Sequence, residues 1–401
     1  MPPRFRHAVV GCGMMGAAAA RHLANMTQGV ALIGPSEPAD KANHRGVFAS
    51  HYDEGRITRT IDPDPVWAML ARNSIGRYRD IETATGISFY REVGALLTGA
   101  GSKEGQAYVE RTQRAAAIAG VAAERLAGDA LQQRFPQYPI PLSCRSVTVE
   151  LRGQADVDHD LADRDARALV AFLQLAERAG ATRIDAAVAS IREAGGHVAI
   201  ELADGETLEA ECVLCAAGGF SIQKNLLPVD LDLKVYARTV VFFEVSEDDA
   251  KAMAAMPSMI HKAAEARDDI YMLPPIRYPD GRFYLKIGGD PDDLALPPEE
   301  LGNWFRTDGR PATRAHLIER MNSLVPGLNV LSISSAACVT SFTPSGYPAI
   351  GWLSPGRIAV VTGGCGAAAK SSDEIGRLGA ELVFEGRISS FDADFSPVKR
   401  Q

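Results

Sequence analysis

Gly11, Gly13 and Gly16 lie in the run Gly11-Cys12-Gly13-Met14-Met15-Gly16, and a G-x-G-x-x-G spacing suits a particular chemistry. Residues without a Cβ let the chain turn tightly, bring backbone N–H groups up to a pyrophosphate and let the next helix pack on the preceding strand. The helix N-terminus adds partial positive charge at the same place. Met14 and Met15 complete the expected contact surface. The acid that usually holds a ribose hydroxyl should fall near position 34, but the sequence there reads LIGPSEP. Gly34 cannot make that bond, which leaves Glu37 or the backbone. Among six cysteines, Cys212 and Cys215 form a C-x-x-C pair inside ECVLCAAGG. No second Cys/His pair lies near enough to complete a zinc site, so both are read as core residues of a strand and no metal is expected.

The elements that would position this loop follow from the apolar pattern. His7 to Val10 is an apolar strand, Ala17 to Asn25 an alanine-rich helix and Val30 to Ile33 a second strand, together a βαβ unit. Leu169, Phe172, Leu173 and Ala176 share one face of a later helix. Ala187 to Ile191, His197 to Leu202 and Glu209 to Cys215 alternate as a small antiparallel meander, joined by turns at Gly195-Gly196 and Asp204-Gly205. Near the C-terminus, Ile358 to Thr362 is an apolar strand, Gly363 to Gly366 a glycine turn, and Ser371 to Glu385 a helix opened by Ser372 with Asp373 and Glu374 in its first turn.

Composition bounds what these elements can serve. The 401 residues are 46% apolar and 23% charged, an ordinary globular composition long enough for two domains. The 42 basic and 50 acidic residues leave a net charge of -8, which speaks against a nucleic-acid surface. Scattered cysteines suit a reducing, cytoplasmic setting. The N-terminal run imitates a signal peptide but parses better as strand, glycine turn and helix, and no apolar stretch is long enough to span a membrane.

Four further segments stand out: SHYDEGRITR with Ser50, Arg56 and Arg59; FYLKIGG with Lys286; AACVTSFTPSGYPAIG with Cys338; and TGGCGAAAKSSDEIG with Gly364, Gly366 and Lys370. Together with the glycine loop and the meander ending in CAAGG, they resemble the D-amino-acid-oxidase-like flavoproteins, and within them the monomeric sarcosine oxidase family, over nearly the whole chain. The resemblance implies an FAD cofactor contacted by the glycine loop, Ser50, Arg56, Val188, Gly218, Gly364 and Gly366, and attached through a thioether at Cys338. It also implies that Arg59 and Lys370 hold a substrate carboxylate and that Lys286 lies over the flavin to assist reduction of oxygen.

Each implied role has a physical rationale. A guanidinium pairs both oxygens of a carboxylate. A fixed cation in a low-dielectric site stabilises superoxide as it forms. A helix dipole at Lys370 favours negative charge on reduced flavin, and a thiolate is a competent nucleophile where its surroundings favour that form. Alternation puts Phe283, Leu285 and Ile287 on one face and Tyr284 and Lys286 on the other, facing either cofactor or water. Thr340 and Ala367 replace a tyrosine and a histidine of the sarcosine oxidases, so a larger or differently shaped substrate is expected.

The expected fold is α/β, with a discontinuous Rossmann-like FAD-binding domain (residues 1–84, 146–225 and 336–395). A second, α+β substrate domain (85–145 and 226–335) contains an antiparallel sheet. The expected activity is oxidation of a secondary or N-alkylated amino acid to an imine, with oxygen reduced to hydrogen peroxide. Rival readings are a dehydrogenase passing electrons to a partner, a nicotinamide enzyme and a non-catalytic flavin-binding subunit.

Overall fold

The computed structural model describes residues 2–50, 52–136, 144–149 and 165–400. Two sheets organise them. The first is eight-stranded and runs in the order Ala349–Ser354, Ile358–Thr362, Thr207–Cys215, Arg4–Val10, Val30–Ile33, Thr182–Ile184. From Ile358–Thr362 through Thr182–Ile184 every neighbour is parallel. The meander strands Val188–Ala194 and His197–Leu202 pair antiparallel with each other and deliver Thr207–Cys215 into the sheet.

These strands read as unbroken apolar runs because both faces are covered. Val9, Leu32, Leu214 and Val361 face the helices Met14–Met26, Asp165–Arg178 and Ser372–Glu385, while Ala8, Val10, Ile33, Val213 and Val360 face the meander. Small residues set how closely the first and last of these helices approach. A Cβ on Gly376 would lie 2.6 Å from the Ala18 Cβ and 2.7 Å from the Met15 carbonyl oxygen. The first turn of the last helix is anchored by charge, since buried Asp373 pairs with Arg21 and Arg77 and Glu374 with Arg77 and Arg377.

The second, nine-stranded sheet has the order Leu294–Ala295, Lys234–Val245, Phe283–Gly288, Ile270–Arg277, Ser258–Lys262, Ala95–Gly99, Arg145–Val149, Ala123–Ala127, with Ser332–Phe342 also paired to Lys234–Val245. One parallel pair, Ser258–Lys262 beside Ala95–Gly99, joins two stretches far apart in sequence. Val241, Phe243, Met272, Leu285 and Ile287 pack beneath the helix Pro311–Leu324 through Leu317 and Met321.

The boundaries expected at 146 and 336 differ from this arrangement. Arg145–Val149 lies between two strands of the second sheet. Ser332–Phe342 pairs along its whole length with Lys234–Val245. The second sheet therefore extends to residues 149 and 342, because strand alternation sets which face a residue takes but not which sheet receives the strand. Residues 150–164, expected to belong to the nucleotide part, lie outside the described residues.

Candidate active site

The glycine loop closes the end of Arg4–Val10 against the neighbouring strand. Gly11 has a φ of +117°, and a Cβ there would sit 2.4 Å from the Ala216 carbonyl oxygen; one on Gly16 would sit 1.9 Å from the Gly11 carbonyl oxygen. Both positions exclude any side chain. Gly13 is the N-cap of the helix Met14–Met26, with extended backbone and no side-chain cap. First-turn N–H groups of that helix are thus left for another acceptor.

That uncapped turn opens into a cavity of about 910 Å³ whose walls come from both sheets. Gly11, Gly13, Met14 and Met15 line it at the loop, Val188 and Gly218 along the meander side, and Gly364 and Gly366 at the C-terminal turn. Ser50, Arg56, Arg59, Lys286, Cys338 and Lys370 line the remainder. Gly16 does not; it is buried where helix packs on strand.

The missing acid at position 34 has a steric cause. A Cβ on Gly34 would lie 2.6 Å from the Cys12 amide nitrogen and 3.0 Å from its sulfur, so the loop excludes the side chain that would carry a carboxylate. Glu37 is not part of the cavity wall, and no acid lines the cavity beside Gly34 among the described residues.

Farther in, two lysines are buried against aspartates that the sequence reading did not single out. Lys286 is 2% exposed, forms an ion pair with Asp53 and donates to the Gly55 carbonyl oxygen at 2.7 Å. The alternative in which it points to water is thereby excluded. Gly288 makes room beside it, since a Cβ there would lie 2.4 Å from the Tyr271 ring. Asp53 also accepts from Arg56 Nη1 at 2.8 Å and from the Tyr278 hydroxyl at 2.9 Å. Arg56 binds back to the carbonyl oxygens of Ser50, Asp53 and Gly55, wrapping the loop around its guanidinium.

Lys370 is likewise 2% exposed. Its Nζ lies 3.2 Å from Asp62 Oδ2 and 3.4 Å from the Trp67 carbonyl oxygen, and Arg59 Nη1 lies 2.6 Å from the same Asp62 oxygen. Arg59 and Lys370 are therefore brought together on a carboxylate supplied by the chain, Asp62. A signal for both aspartates was present in the sequence. Asp53, Arg56, Arg59 and Asp62 follow a D-x-x-R-x-x-R-x-x-D spacing that is symmetric about the loop.

Burial and pairing oppose each other throughout. Burial pushes Lys370 down to about 8 while Asp62 pushes it back up and Arg59 adds to the fall. Lys286 is lowered by burial first, with Asp53 opposing and Arg56 reinforcing. Burial alone would raise both aspartates, yet Lys286 and Arg56 hold Asp53 below the ordinary carboxylate range, and Arg59 and Lys370 do the same for Asp62. Asp290, also on the cavity wall, is pushed up to about 6, mainly by burial.

Cys338 sits opposite Arg238 on paired strands, within the same wall. Burial raises its thiol, while Arg56 and Lys286 pull it down. Cys212 and Cys215 are buried strand residues with thiols pushed up to about 12 by burial. Thr340 accepts from Arg238 Nε at 2.9 Å, and both Thr340 and Ala367 line the cavity.

One end of the shared cavity thus presents uncapped helix N–H groups and the other buried cations. The donor set fits FAD: the loop and uncapped helix turn suit a pyrophosphate, and Gly218, Lys286, Cys338 and Lys370 line the same cavity. The chain belongs to the FAD dependent oxidoreductase (DAO) family, whose model matches residues 6–382. It is a flavin-dependent amine or amino-acid oxidoreductase.

The chain is 25% identical over 415 aligned positions to "Monomeric sarcosine oxidase" of Bacillus sp. (strain NS-129), covering 100% of this chain and 99% of that protein. Among solved structures, NikD, described as an unusual amino acid oxidase essential for nikkomycin biosynthesis, superposes with a TM-score of 0.74 at 18% identity. The match covers 100% of this chain and 98% of NikD. L-proline dehydrogenase from P. horikoshii superposes with a TM-score of 0.73 at 17% identity, covering 96% and 95%. These two show the shared fold. Among the described residues no helix is long and apolar enough to cross a membrane.

Proposed function

We propose that the enzyme oxidises the C–N bond of a secondary or N-alkylated amino acid to an imine, which water then hydrolyses, and that oxygen is the electron acceptor. The convergence of Arg59 and Lys370 on one carboxylate position, in the cavity that also holds Lys286, carries this reading. The similarity to a sarcosine oxidase supports the same substrate class. Bound FAD supplies the redox chemistry, taking two electrons from the substrate and returning them to oxygen as hydrogen peroxide.

The chain's own residues would bind, orient and exclude water. Arg59 offers the planar fork for the substrate carboxylate, and Lys370 adds a second cation at the same Asp62 oxygen. Asp62 fills that position when no substrate is bound, so the cations are never left buried without a counter-charge. Burial strips water from the amine, and a neutral amine supplies its own lone pair, so positioning does the work of a separate base. Thr340 and Ala367 leave room for a substituent on the substrate. The second sheet forms the substrate side, and Cys338 is the attachment point for the cofactor, with Arg56 and Lys286 opposing the rise that burial imposes on its thiol.

Acid denaturation of the purified protein tests the cofactor claims. Yellow colour should stay with the wild-type polypeptide and leave it in Cys338→Ser; colour released from both refutes attachment at Cys338, and a colourless protein refutes the flavin reading. Anaerobic addition of N-methylated amino acids should bleach the flavin. Failure of every carboxylated amine to do so would overturn the proposed activity.

A further inference from the structure

The network around Lys286 is more than a route to burying a lysine. Its ammonium group has three N–H donors. One engages Asp53 and one the Gly55 carbonyl oxygen, and among the described residues the third has no protein acceptor. Tyr271 presents its ring 6.0 Å from Nζ, so that side offers a π-face rather than a competing charge. Asp53 is in turn held on both sides, by Arg56 at one oxygen and by the Tyr278 hydroxyl at the other. The aspartate can neither rotate away nor lower its demand for a cation without breaking these bonds.

From this geometry we infer that Asp53 is the positioning residue for the oxygen half-reaction: it keeps Lys286 charged and aims its remaining N–H into the cavity. The inference rests on the oxidase reading above. A lysine buried to this degree without an anion loses its proton near neutral pH. Of the other groups facing Lys286, Arg56 repels it, Tyr271 and Tyr278 stay protonated because burial raises both, and Cys338, whose own thiol burial raises, favours the charge less than Asp53 does. Glu54 lies next to Asp53 and acts on Tyr278. The paired strand opposes Lys286 with Phe242, which carries no charge. Asp53 is therefore the anion on which the ammonium depends.

The chemical consequence falls on one step. Oxygen takes up two electrons and two protons, one proton from the reduced cofactor and one from solvent, and leaves as hydrogen peroxide. Transfer of the first electron makes superoxide, and a fixed cation nearby lowers the energy of that anion. Lys286 is not consumed and returns to the same ion pair. Neutral lysine gives no such stabilisation, so the rate of this step follows the protonation of Lys286 and, through it, the presence of Asp53.

Stopped-flow mixing of reduced holoenzyme with oxygen, from about pH 6 to about pH 9, reads the effect directly. In Asp53→Asn the rate should fall with rising pH, with a midpoint about two units below that of the wild type, and should approach the wild-type rate at the acid end. Lys286→Met should be slow at every pH, which separates loss of the cation from loss of its counter-ion. Asp53→Glu should restore most of the wild-type profile. In Asp53→Asn, anaerobic reduction by substrate should lose less than re-oxidation by oxygen does.

A second readout does not depend on turnover. In oxidised protein carrying isotope-labelled lysine, the Lys286 signal, assigned by its absence in Lys286→Met, should titrate at lower pH in Asp53→Asn than in the wild type. An Asp53→Asn protein whose oxygen profile and Lys286 titration both match the wild type would overturn the inference. If oxygen fails to re-oxidise the reduced wild type, the oxidase reading falls. The Lys286 titration then decides the counter-ion claim alone, and an unchanged titration overturns it.

Discussion

Two Arg–Asp–Lys groups line one cavity and differ in what their aspartate does. At Asp53 the carboxylate is saturated by Lys286, Arg56 and Tyr278, all tied to a loop wrapped on itself. At Asp62 the carboxylate accepts from the Asp64 amide, and its other oxygen lies between the two cations that a substrate would use. On the proposed function, the first arrangement holds a charge in place and the second reserves a place for a charge brought from outside. Burial is equal for the two lysines, so depth alone does not separate the roles. The kind of partner does: Asp53 has a tyrosine hydroxyl on the oxygen that its cations leave, and Asp62 has a backbone amide of its own loop there.

Breaking either group should therefore fail a different half of the reaction. The largest effect is expected at Arg59→Ala, where loss of a buried, hydrogen-bonded partner for the substrate carboxylate costs about 2–4 kcal/mol, a fall of roughly 30- to 1000-fold in kcat/KM. Stopped-flow reduction by substrate should be impaired while re-oxidation by oxygen stays close to wild type. If re-oxidation fell to the same extent, the two groups would not be functionally separate.

A smaller, more discriminating effect is expected at Asp62→Asn. Removing the internal competitor should tighten binding of simple carboxylates by about tenfold near pH 6.5, measured as a flavin spectral titration. The same change removes the anion that raises Lys370, so the gain should shrink as pH rises. Weaker carboxylate binding than wild type at every pH would show that Asp62 supports the site rather than reserving it.

The smallest effect is a pH dependence in the unmodified protein. Burial lowers Lys370 to about 8, so its cation is present below that value and lost above it. Carboxylate affinity should be flat toward neutral pH and decline through about pH 8, at most tenfold per unit. The oxygen step should not follow the Lys370 titration, because it depends on Lys286, whose charge Asp53 supports against burial and Arg56. A joint decline would erase the contrast between the two groups.

Much of the cofactor end was legible from local pattern. The G-x-G-x-x-G run, the apolar strands before and after it, the meander and the C-terminal glycine turn all rest on short-range rules of spacing and backbone freedom. The aspartates were not read, although D-x-x-R-x-x-R-x-x-D was in plain view, because acids and bases at such spacing in a loop are ordinarily solvated. Only burial against Lys286 and Lys370, more than 200 residues away in sequence, makes them buried ion pairs. Gly34 shows the converse. The absent acid looked like a defect in the nucleotide site, and close approach to Cys12 explains it.

Local sequence alone determined the strand, glycine turn and helix around Gly11 to Gly16, the meander and the C-terminal glycine turn, since those outcomes depend on neighbours within a few residues. Tertiary structure decided that Arg145–Val149 and Ser332–Phe342 join the second sheet, that Lys286 faces the cavity rather than water, and that each buried lysine meets its own aspartate. Charge, burial and pairing are properties of a shared volume, and that volume exists only once distant segments have packed around it.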